Sequence, residues 1–317
     1  MYFPVAGIEV NPLVPPLVAF VISLFTSMGG VSGAFLLLPF QVSILGFTSP
    51  SVSSTNQLFN IVAIPSGVYR YIKEGRMVWP LTWIVIIGTL PGVLVGAIVR
   101  IQYLPDPKDF KLFVGLVLLY IGGRILKDLL CRKKKADTPS TEERFQQQGT
   151  RGVRAGAAGS SAPGQSPRVT VQQWTLSRIV YDFCGETFSV NAFAVMGLSL
   201  IVGMVGGVYG IGGGAIIAPF FVSFFRLPVY TVAGAALMGT FVTSVAGVIF
   251  YQLLAPYYPT MAIAPDWLLG ILFGIGGFAG MYCGARLQKF VPAGFIKWIL
   301  VVCLLFTAGS YIGSYLW

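Results

Sequence analysis

The chain contains GGVSGAFLLLPF at residues 29–40 and YGIGGGAIIAPF at residues 209–220, two glycine-rich stretches that read as copies of each other. Each stretch interrupts a strongly apolar region of the sequence. Backbone N–H and C=O groups that such a break exposes at membrane depth are tolerated only where they line a cavity or are buried in protein. Matching breaks in two halves are also the best sequence indication of a transporter's binding site. The two stretches therefore predict an internally duplicated membrane protein with helices broken at equivalent places.

The composition indicates an integral membrane protein. Of the 317 residues, 55% are hydrophobic and only 10% are charged, whereas a soluble domain has about 25% charged residues. A net charge of +10 would suggest nucleic acid as a partner of a soluble chain, but basic residues at one membrane face explain it here. The sequence contains no histidine, and its four cysteines form no CxxC pair. We therefore predict unpaired thiols, no metal site, no cofactor and no nucleic acid partner.

Ten apolar runs are candidates for membrane segments, since a full crossing needs roughly 20 residues. The first two runs of each half are short, and the glycine motif joins them. They form either short full helices or a hairpin that enters the membrane and returns, which in both cases adds an even number of crossings. Three further crossing helices follow in each half, so we predict an all-α integral membrane protein. The runs cover residues 12–28, 32–47, 51–72, 79–101, 110–130, 189–208, 212–226, 229–254, 266–288 and 292–315.

The distribution of basic residues predicts the orientation, because cytoplasmic loops carry an excess of lysine and arginine. Arg100, Lys108 and Lys111 alone are assigned to the outer face. With three crossings after each hairpin, the two halves run in opposite directions and both termini lie outside. We predict a multi-pass protein of the inner (plasma) membrane of the cell. The basic residues assigned to the cytoplasmic face include Arg70, Lys73, Arg76, Arg132, Lys133, Lys134, Lys135, Arg144, Arg151, Arg154, Arg168, Arg178, Arg226, Arg286 and Lys289.

An ungapped alignment of the two halves supports an inverted repeat. At an offset of 180 residues the matched pairs are Gly30 with Gly210, Gly33 with Gly213, Pro39 with Pro219, Phe40 with Phe220, Ser43 with Ser223, Gly67 with Gly247 and Tyr71 with Tyr251. At an offset of 188 residues Gly88, Gly92 and Gly96 match Gly276, Gly280 and Gly284. We interpret the latter two triads as surfaces for close helix packing.

The duplication divides the chain into three parts. Residues 1–130 form the first transmembrane repeat, residues 131–188 a cytoplasmic linker, and residues 189–317 the second transmembrane repeat. The linker is predicted to be largely disordered, because residues 136–170 offer almost nothing apolar to bury. Residues 171–188 contain apolar and aromatic side chains among polar ones, so an interfacial helix is expected there.

The predicted membrane interior contains neutral polar side chains and broken backbone but no charge. A cation transporter or a carboxylate-based proton pump normally has intramembrane acids. Helix N-termini present unpaired N–H groups and about half a positive charge, and a helix is expected after each glycine motif. Two inverted copies would direct two such ends at the middle of the membrane, where hydroxyl and amide donors complete a site for a small anion. The candidate substrate-binding residues are Gly30, Ser32, Gly33, Asn56, Gln57, Asn60, Gly210, Gly212, Gly213, Gly214, Thr240, Thr243 and Ser244.

Residues 210–219 and 238–240 resemble the signature of TauE/SafE-type permeases. The degenerate copy at residues 30–39, followed by Thr55 and Asn56, is similar to the first repeat of that family. The resemblance extends over both membrane halves but not over the linker. It implies an anion permease for sulfite, thiosulfate or organosulfonates, often working as an exporter.

The sequence thus favours a secondary transporter of a small anion, with alternating access to a central uncharged site in the lipid bilayer, and the resemblance implies that the anion is a small sulfur oxyanion or organosulfonate. A passive anion channel, a permease for another small anion and a scaffold subunit with a vestigial site are the alternatives. A membrane-embedded enzyme is disfavoured, because no histidine or intramembrane acid supplies a base or a metal ligand. Proton or ion coupling and a homodimer are both open, since no residue identifies a proton carrier and the glycine faces can pack within or between protomers.

Overall fold

The computed structural model describes residues 1–28, 32–131, 168–175, 177–214, 216–287 and 293–316. Most of these residues are helical, and a few short strands accompany the helices. The helices are α1 (Val14–Met28), α2 (Ala34–Ser43), α3 (Ser51–Lys73), α4 (Trp79–Gln102), α5 (Pro107–Cys131), α6 (Ala192–Tyr209), α7 (Ile217–Phe224), α8 (Val229–Leu254), α9 (Trp267–Leu287) and α10 (Ala293–Leu316). The strands are β1 (Tyr2–Phe3), β2 (Ile8–Glu9), β3 (Thr170–Trp174), β4 (Arg178–Phe183) and β5 (Glu186–Asn191).

Five described helices are long and apolar enough to cross a membrane, namely α4, α6, α8, α9 and α10. The apolar helices α1 and α2 are shorter, in line with the short paired runs that the sequence contains. Helix α3 is long, but its first half is polar because it begins with SVSSTNQ. The mostly helical, membrane-type fold that the sequence predicts is therefore confirmed.

The helices of the two halves interlock across the molecule. The first helix of each half packs against the fourth helix of the other half, α1 on α9 and α6 on α4. In the same way α3 packs on α9 and α8 on α4, while α3 meets α8 and α5 meets α10. If each helix is replaced by the helix at the same position in the other half, every one of these pairs becomes another pair of the set or stays the same pair. The packing thus has the symmetry of a duplication, and the opposite orientation of the halves stays a prediction.

Glycine makes the interlocking contacts possible. A Cβ atom on Gly92 or Gly96 of α4 would lie closer than 3.0 Å to the backbone of α6. A Cβ atom on Gly276, Gly280 or Gly284 of α9 would meet the backbone of α1 in the same way. Real Cβ atoms do not approach backbone so closely, so these positions need glycine for the helices to touch. The packing interpretation of the two glycine triads is confirmed.

The chain before α6 forms a sheet, so the expected interfacial helix over residues 171–188 is wrong. Strands β3, β4 and β5 pair in that order and antiparallel. Along β4, Ile179, Tyr181 and Phe183 are buried, and the residues between them are at least partly accessible. This period of two, with β-branched and aromatic residues, is typical of a strand, and Gly185 at positive φ closes the following turn. Residues 132–167 lie outside the described residues. They include most of residues 136–170, the stretch that the sequence predicts to be disordered.

The sheet contacts the ends of two membrane helices. The Tyr181 hydroxyl lies 3.0 Å from the Thr231 hydroxyl in the first turn of α8. The Val169 backbone N–H donates to the Gly75 carbonyl, 3.0 Å away, in the connection between α3 and α4. The sheet therefore covers the end of α3 and the start of α8, both of which the topology prediction assigns to the cytoplasmic face.

Candidate functional site

The site begins with the two helix breaks, which the structure brings together. Helix α6 ends at Tyr209, and Gly210 follows it with a left-handed φ of 78°. The Tyr209 hydroxyl donates to the Phe35 carbonyl, 2.7 Å away, in the first turn of α2. Helices α2 and α7 start at Ala34 and Ile217, directly after the motifs. The prediction that a helix begins after each break is confirmed; Gly30 of the first motif lies outside the described residues.

Asn56 links the two breaks through its side-chain amide. Its Nδ2 group donates to the Ala34 carbonyl at 3.0 Å and to the Gly210 carbonyl at 3.1 Å. Its Oδ1 atom accepts a hydrogen bond of 3.2 Å from the Gln41 amide of α2. The Gly210 carbonyl, which follows the end of α6, is thus satisfied by α3, as buried backbone requires, and the same amide ties it to the first turn of α2.

Asn60, one helical turn further along α3, makes a second set of hydrogen bonds. Its Nδ2 group donates to the Ile211 carbonyl at 2.9 Å and to the Ser244 hydroxyl at 3.3 Å. Its Oδ1 atom accepts from the Ser32 hydroxyl at 2.5 Å. Ser32 Oγ in turn accepts from the Ala34 backbone N–H at 3.3 Å. Asn60 therefore joins the first break, the second break and α8.

The second glycine motif packs directly on α8. The Gly213 backbone N–H donates to the Thr243 hydroxyl, 3.1 Å away. A Cβ atom on Gly212 would lie 2.9 Å from Ser244 Oγ, and one on Gly214 would lie 2.7 Å from Thr240 Oγ1. A side chain larger than hydrogen therefore does not fit between this motif and α8.

The same contacts recur in both halves but with different chemistry. At the 180-residue offset Ser32 corresponds to Gly212 and Asn60 to Thr240. Ser32 bonds to Asn60 in the first half, and Gly212 lies against Thr240 in the second half. The first half thus places amide and hydroxyl side chains where the second half uses glycine backbone and a threonine methyl group.

Gln57 differs from the other polar side chains of the cluster, because its amide has no hydrogen-bond partner in the described structure. Its side chain is fully buried, and neither its Oε1 nor its Nε2 atom has a hydrogen-bond partner among the described residues. The amide lies against Gly247 of α8. The equivalent contact in the other half joins Gly67 to Leu237. Burying an unpaired amide is costly, and the equivalent leucine indicates that an apolar side chain also fits this contact.

Two hydroxyl groups near the first motif were missed by the sequence analysis. Ser23 and Thr26 of α1 are fully buried, and their hydroxyl oxygens have no partner among the described residues. A Cβ atom on Gly33 would lie 2.9 Å from Ser23 Oγ and 3.4 Å from Thr26 Oγ1. Their sequence signal was weak, because single hydroxyl residues in an apolar helix usually bond to their own backbone.

The described part of the candidate set forms one connected cluster between α2, α3, α8 and the second motif. Its polar side chains have no solvent-accessible surface. Thr240 and Thr243 also donate to carbonyls of their own helix, at 2.8 and 2.7 Å. Thr55 points elsewhere and accepts from the Asp266 backbone N–H at 2.9 Å. Within the described residues no ion pair touches the cluster, so its donors are neutral amides, hydroxyls and backbone N–H groups.

Comparison with known proteins gives two matches. The sequence model of the sulfite exporter TauE/SafE family matches residues 16–311. The probable membrane transporter protein YunE of Bacillus subtilis (strain 168) is 22% identical over 288 residues, which cover 88% of this chain and 89% of that protein. No solved structure matches the chain significantly.

Proposed function

The chain belongs to the sulfite exporter TauE/SafE family, and from this premise we propose that it is a secondary transporter of a small sulfur oxyanion or organosulfonate, working as an exporter. That it is a multi-pass membrane transport protein follows from the family and from its apolar helices. The substrate class, the direction and the mechanism are the proposal; the observation that supports a central substrate site most is the fully buried amide of Gln57, which has no hydrogen-bond partner among the described residues.

An anion is the ligand that suits this cluster best. Amide, hydroxyl and backbone N–H groups donate hydrogen bonds, and the starts of α2 and α7 add the partial positive charge of helix N-termini. No carboxylate lies among the described cluster residues to hold a cation. Neutral donors bind an anion loosely enough to release it, which a transporter requires.

Alternating access agrees with the geometry of the cluster. Its polar side chains are sealed from both faces, so a substrate reaches them only when helices move. The interlocked packing gives two equivalent sets of contacts, and exchange between two such arrangements opens the site first to one side and then to the other. A proton carrier is not identified among the described cluster residues, so the proposal includes no coupling step.

The first test is the thermal stability of the purified, detergent-solubilised protein against a ligand panel. The panel contains sulfite, thiosulfate, sulfate, sulfoacetate, taurine, phosphate, acetate and several divalent cations. A ligand that binds only the folded protein raises its stability by mass action. A selective increase with a sulfur oxyanion or sulfonate supports the proposal, and an increase with cations alone contradicts it.

Counterflow in proteoliposomes separates a transporter from a channel. A transporter preloaded with unlabelled sulfite accelerates the uptake of labelled sulfite, because an occupied site returns faster than an empty one. A channel gives no such stimulation. Stimulated exchange supports alternating access, and conductive flux without stimulation favours the channel.

The variant Gln57→Leu tests the site itself. Leucine occupies the equivalent position in the second half, so we expect the thermal stability to be kept or slightly raised, because an unpaired buried amide is removed. Counterflow should fall at least tenfold. Ser66→Ala is the matched control, since Ser66 is a buried hydroxyl on the same helix that bonds to the Ala63 carbonyl at 2.9 Å. Undiminished counterflow in Gln57→Leu would remove Gln57 from the substrate site.

A further inference from the structure

Arg100, in the last turn of α4, is a fully buried cation that has no acidic partner among the described residues. Its side chain has no exposed surface. Its Nη1 group donates to the Leu104 carbonyl, and its guanidinium group lies 3.8 Å from the centre of the Phe110 ring. Within the described residues Arg100 forms no ion pair, and its Nε and Nη2 atoms have no hydrogen-bond partner. The sequence analysis assigned this residue to the outer face and gave it no role.

The two unpaired nitrogens have a specific geometry. In a planar guanidinium group Nε–H and the adjacent Nη2–H point in parallel from one edge. That edge matches two oxygens of a carboxylate, phosphate or similar oxyanion, and the resulting bidentate pair is among the strongest hydrogen-bonded contacts in proteins. Arginine does not lose its proton in proteins, so the buried charge is permanent and is compensated only by a bound anion or by dipoles.

Another buried arginine shows that the chain can pair such a charge. Arg76, after the end of α3, forms an ion pair with Glu74. Its guanidinium group also lies 4.6 Å from the centre of the Tyr71 ring. Tyr71 aligns with Tyr251 at the 180-residue offset, and Tyr251 belongs to one buried cluster with Ala97 and Ile101, which lie beside Arg100 on α4. Each of the two equivalent tyrosines therefore lies near an arginine, but within the described residues Arg100 forms no ion pair.

Buried side chains near Arg100 and near the central cluster suggest a route between the two. Ala97 and Ile101, the neighbours of Arg100 on α4, pack against Tyr251 at the end of α8. The Tyr251 hydroxyl and the Ser53 hydroxyl of α3 are both buried, and neither has a hydrogen-bond partner among the described residues. Ser53 in turn touches Gly210, since a Cβ atom on Gly210 would lie 2.6 Å from Ser53 Cβ. The carbonyl of Gly210 accepts from Asn56, so Ser53 borders the central cluster, and Tyr251 lies on the Arg100 side.

We propose that Arg100 forms a second anion site on the predicted outer side of the protein, where its Nε–Nη2 edge binds two oxygens of the transported oxyanion. The site lies between the ends of α4 and α8, with Tyr251 and Ser53 leading from it to the central cluster. An exported anion leaves the Gln57 region, is held by Arg100 and is then released. The identity of the anion rests on the proposed function, whereas the presence of an oxyanion site at Arg100 does not.

The test measures stabilisation of the purified protein by sulfite, and by sulfate in a parallel series, at constant ionic strength. We expect Gln57→Leu to keep part of the sulfite effect, because the Arg100 site remains. Adding Arg100→Met to Gln57→Leu should abolish it. In the otherwise unchanged protein, Arg100→Met should raise the half-saturating sulfite concentration about tenfold or more, which is the usual effect of losing a charged hydrogen bond.

Two further variants separate anion binding from a structural role of Arg100. Arg100→Lys keeps the charge but removes the bidentate edge, so it should also need several-fold more sulfite, and it replaces Arg100→Met as the deciding variant if the latter does not fold. Lys108→Gln removes one exposed charge from the same predicted side and should behave as the unmodified protein.

The outcomes distinguish this inference from the proposed function. An unchanged half-saturating sulfite concentration in Arg100→Lys or Arg100→Met overturns the Arg100 site, whatever the transport result. An Arg100-dependent effect without any counterflow supports the site and overturns the proposed transport. No stabilisation of the unmodified protein by either anion overturns both.

Discussion

Asn60 and Gln57 lie one turn apart on α3, and both are fully buried. Their side-chain amides differ in how many hydrogen-bond partners they have. Asn60 bonds to Ser32, Ile211 and Ser244. Gln57 bonds to nothing among the described residues. The first amide therefore serves the fold, because it satisfies a broken helix, and the second is available for a ligand. Two amide side chains one turn apart on the same helix thus have different roles, and only their hydrogen-bond partners reveal the difference.

Replacing Asn60 should therefore destabilise the protein, unlike replacing Gln57. Asn60→Leu leaves the Ile211 carbonyl and the Ser32 hydroxyl buried without their partner, which costs about 1–3 kcal/mol for each unsatisfied group. Thermal unfolding of both variants in the same detergent measures the difference. Equal unfolding temperatures for Asn60→Leu and Gln57→Leu would show that this division of roles is wrong.

At the scale of the elements, α6 is positioned by glycine and the linker sheet by aromatic side chains. Helix α6 approaches α4 so closely that a Cβ atom on Gly203 would lie within 3.0 Å of the Thr89 backbone. Strand β4 buries Tyr181, whose hydroxyl meets Thr231 of α8 at 3.0 Å. Both contacts join elements that are far apart in the sequence.

Gly203→Ala should weaken the α4–α6 contact. An added methyl group against backbone forces the helices apart, and overpacking of this kind costs about 1–3 kcal/mol. Gly197→Ala on the same helix is the matched control, because a Cβ atom there meets nothing within 4 Å. Thermal unfolding and elution as a single species on size exclusion measure the effect. A Gly203→Ala protein as stable as Gly197→Ala would contradict the packing role.

Tyr181 should make the attachment of the sheet sensitive to high pH. Burial raises the pKa of the Tyr181 hydroxyl above its ordinary value of about 10. With a folded pKa above the unfolded one, its contribution to stability is complete below about pH 10 and is lost as the pH rises above that value. Tyr181→Phe should therefore be less stable than the unmodified protein by about 1 kcal/mol near neutral pH. Above about pH 10 the unmodified protein should lose this advantage, whereas Tyr181→Phe has no such contribution to lose. Parallel pH-dependent unfolding curves for the two proteins would contradict this.

At the scale of the whole molecule, the ends of the helices gather in two groups. One group contains Gly75, Thr231 and the linker sheet. The other contains the start of α3, whose Ser51 hydroxyl donates to the Ala264 carbonyl at 2.5 Å, and the end of α8. The positive-inside rule assigns the first group to the cytoplasm and the second to the outside. The grouping agrees with this alternation, and the absolute orientation stays a prediction.

Labelling of single cysteines in intact cells tests the orientation. In a chain without its four native cysteines, Lys108→Cys should react with a membrane-impermeant thiol reagent from outside. Arg178→Cys, exposed on β4, should react only after the membrane is permeabilised. Each position is the control of the other, since both side chains are accessible in the structure. The reverse pattern would mean that the whole molecule is oriented oppositely.

Much of the helical framework could be predicted from the sequence. The apolar run expected at 79–101 is helix Trp79–Gln102, and the run expected at 229–254 is helix Val229–Leu254. These predictions succeed because a membrane helix satisfies its own backbone within about 20 consecutive residues. The sheet was predicted wrongly, because short mixed segments such as residues 178–183 depend on strands elsewhere for their pairing.

The sequence by itself determined that this chain is a helical membrane protein with a break in each half, and it predicts an internal duplication, because composition, hydrophobic run length and glycine spacing are local properties. Only the tertiary structure decided which polar groups find partners. Asn56 and Asn60 bond to carbonyls more than 150 residues away, Gln57 meets Gly247, and Arg100 is buried with no ion pair among the described residues. Hydrogen bonding and burial depend on what the folded chain brings near, and interlocked halves bring together residues that no local pattern connects.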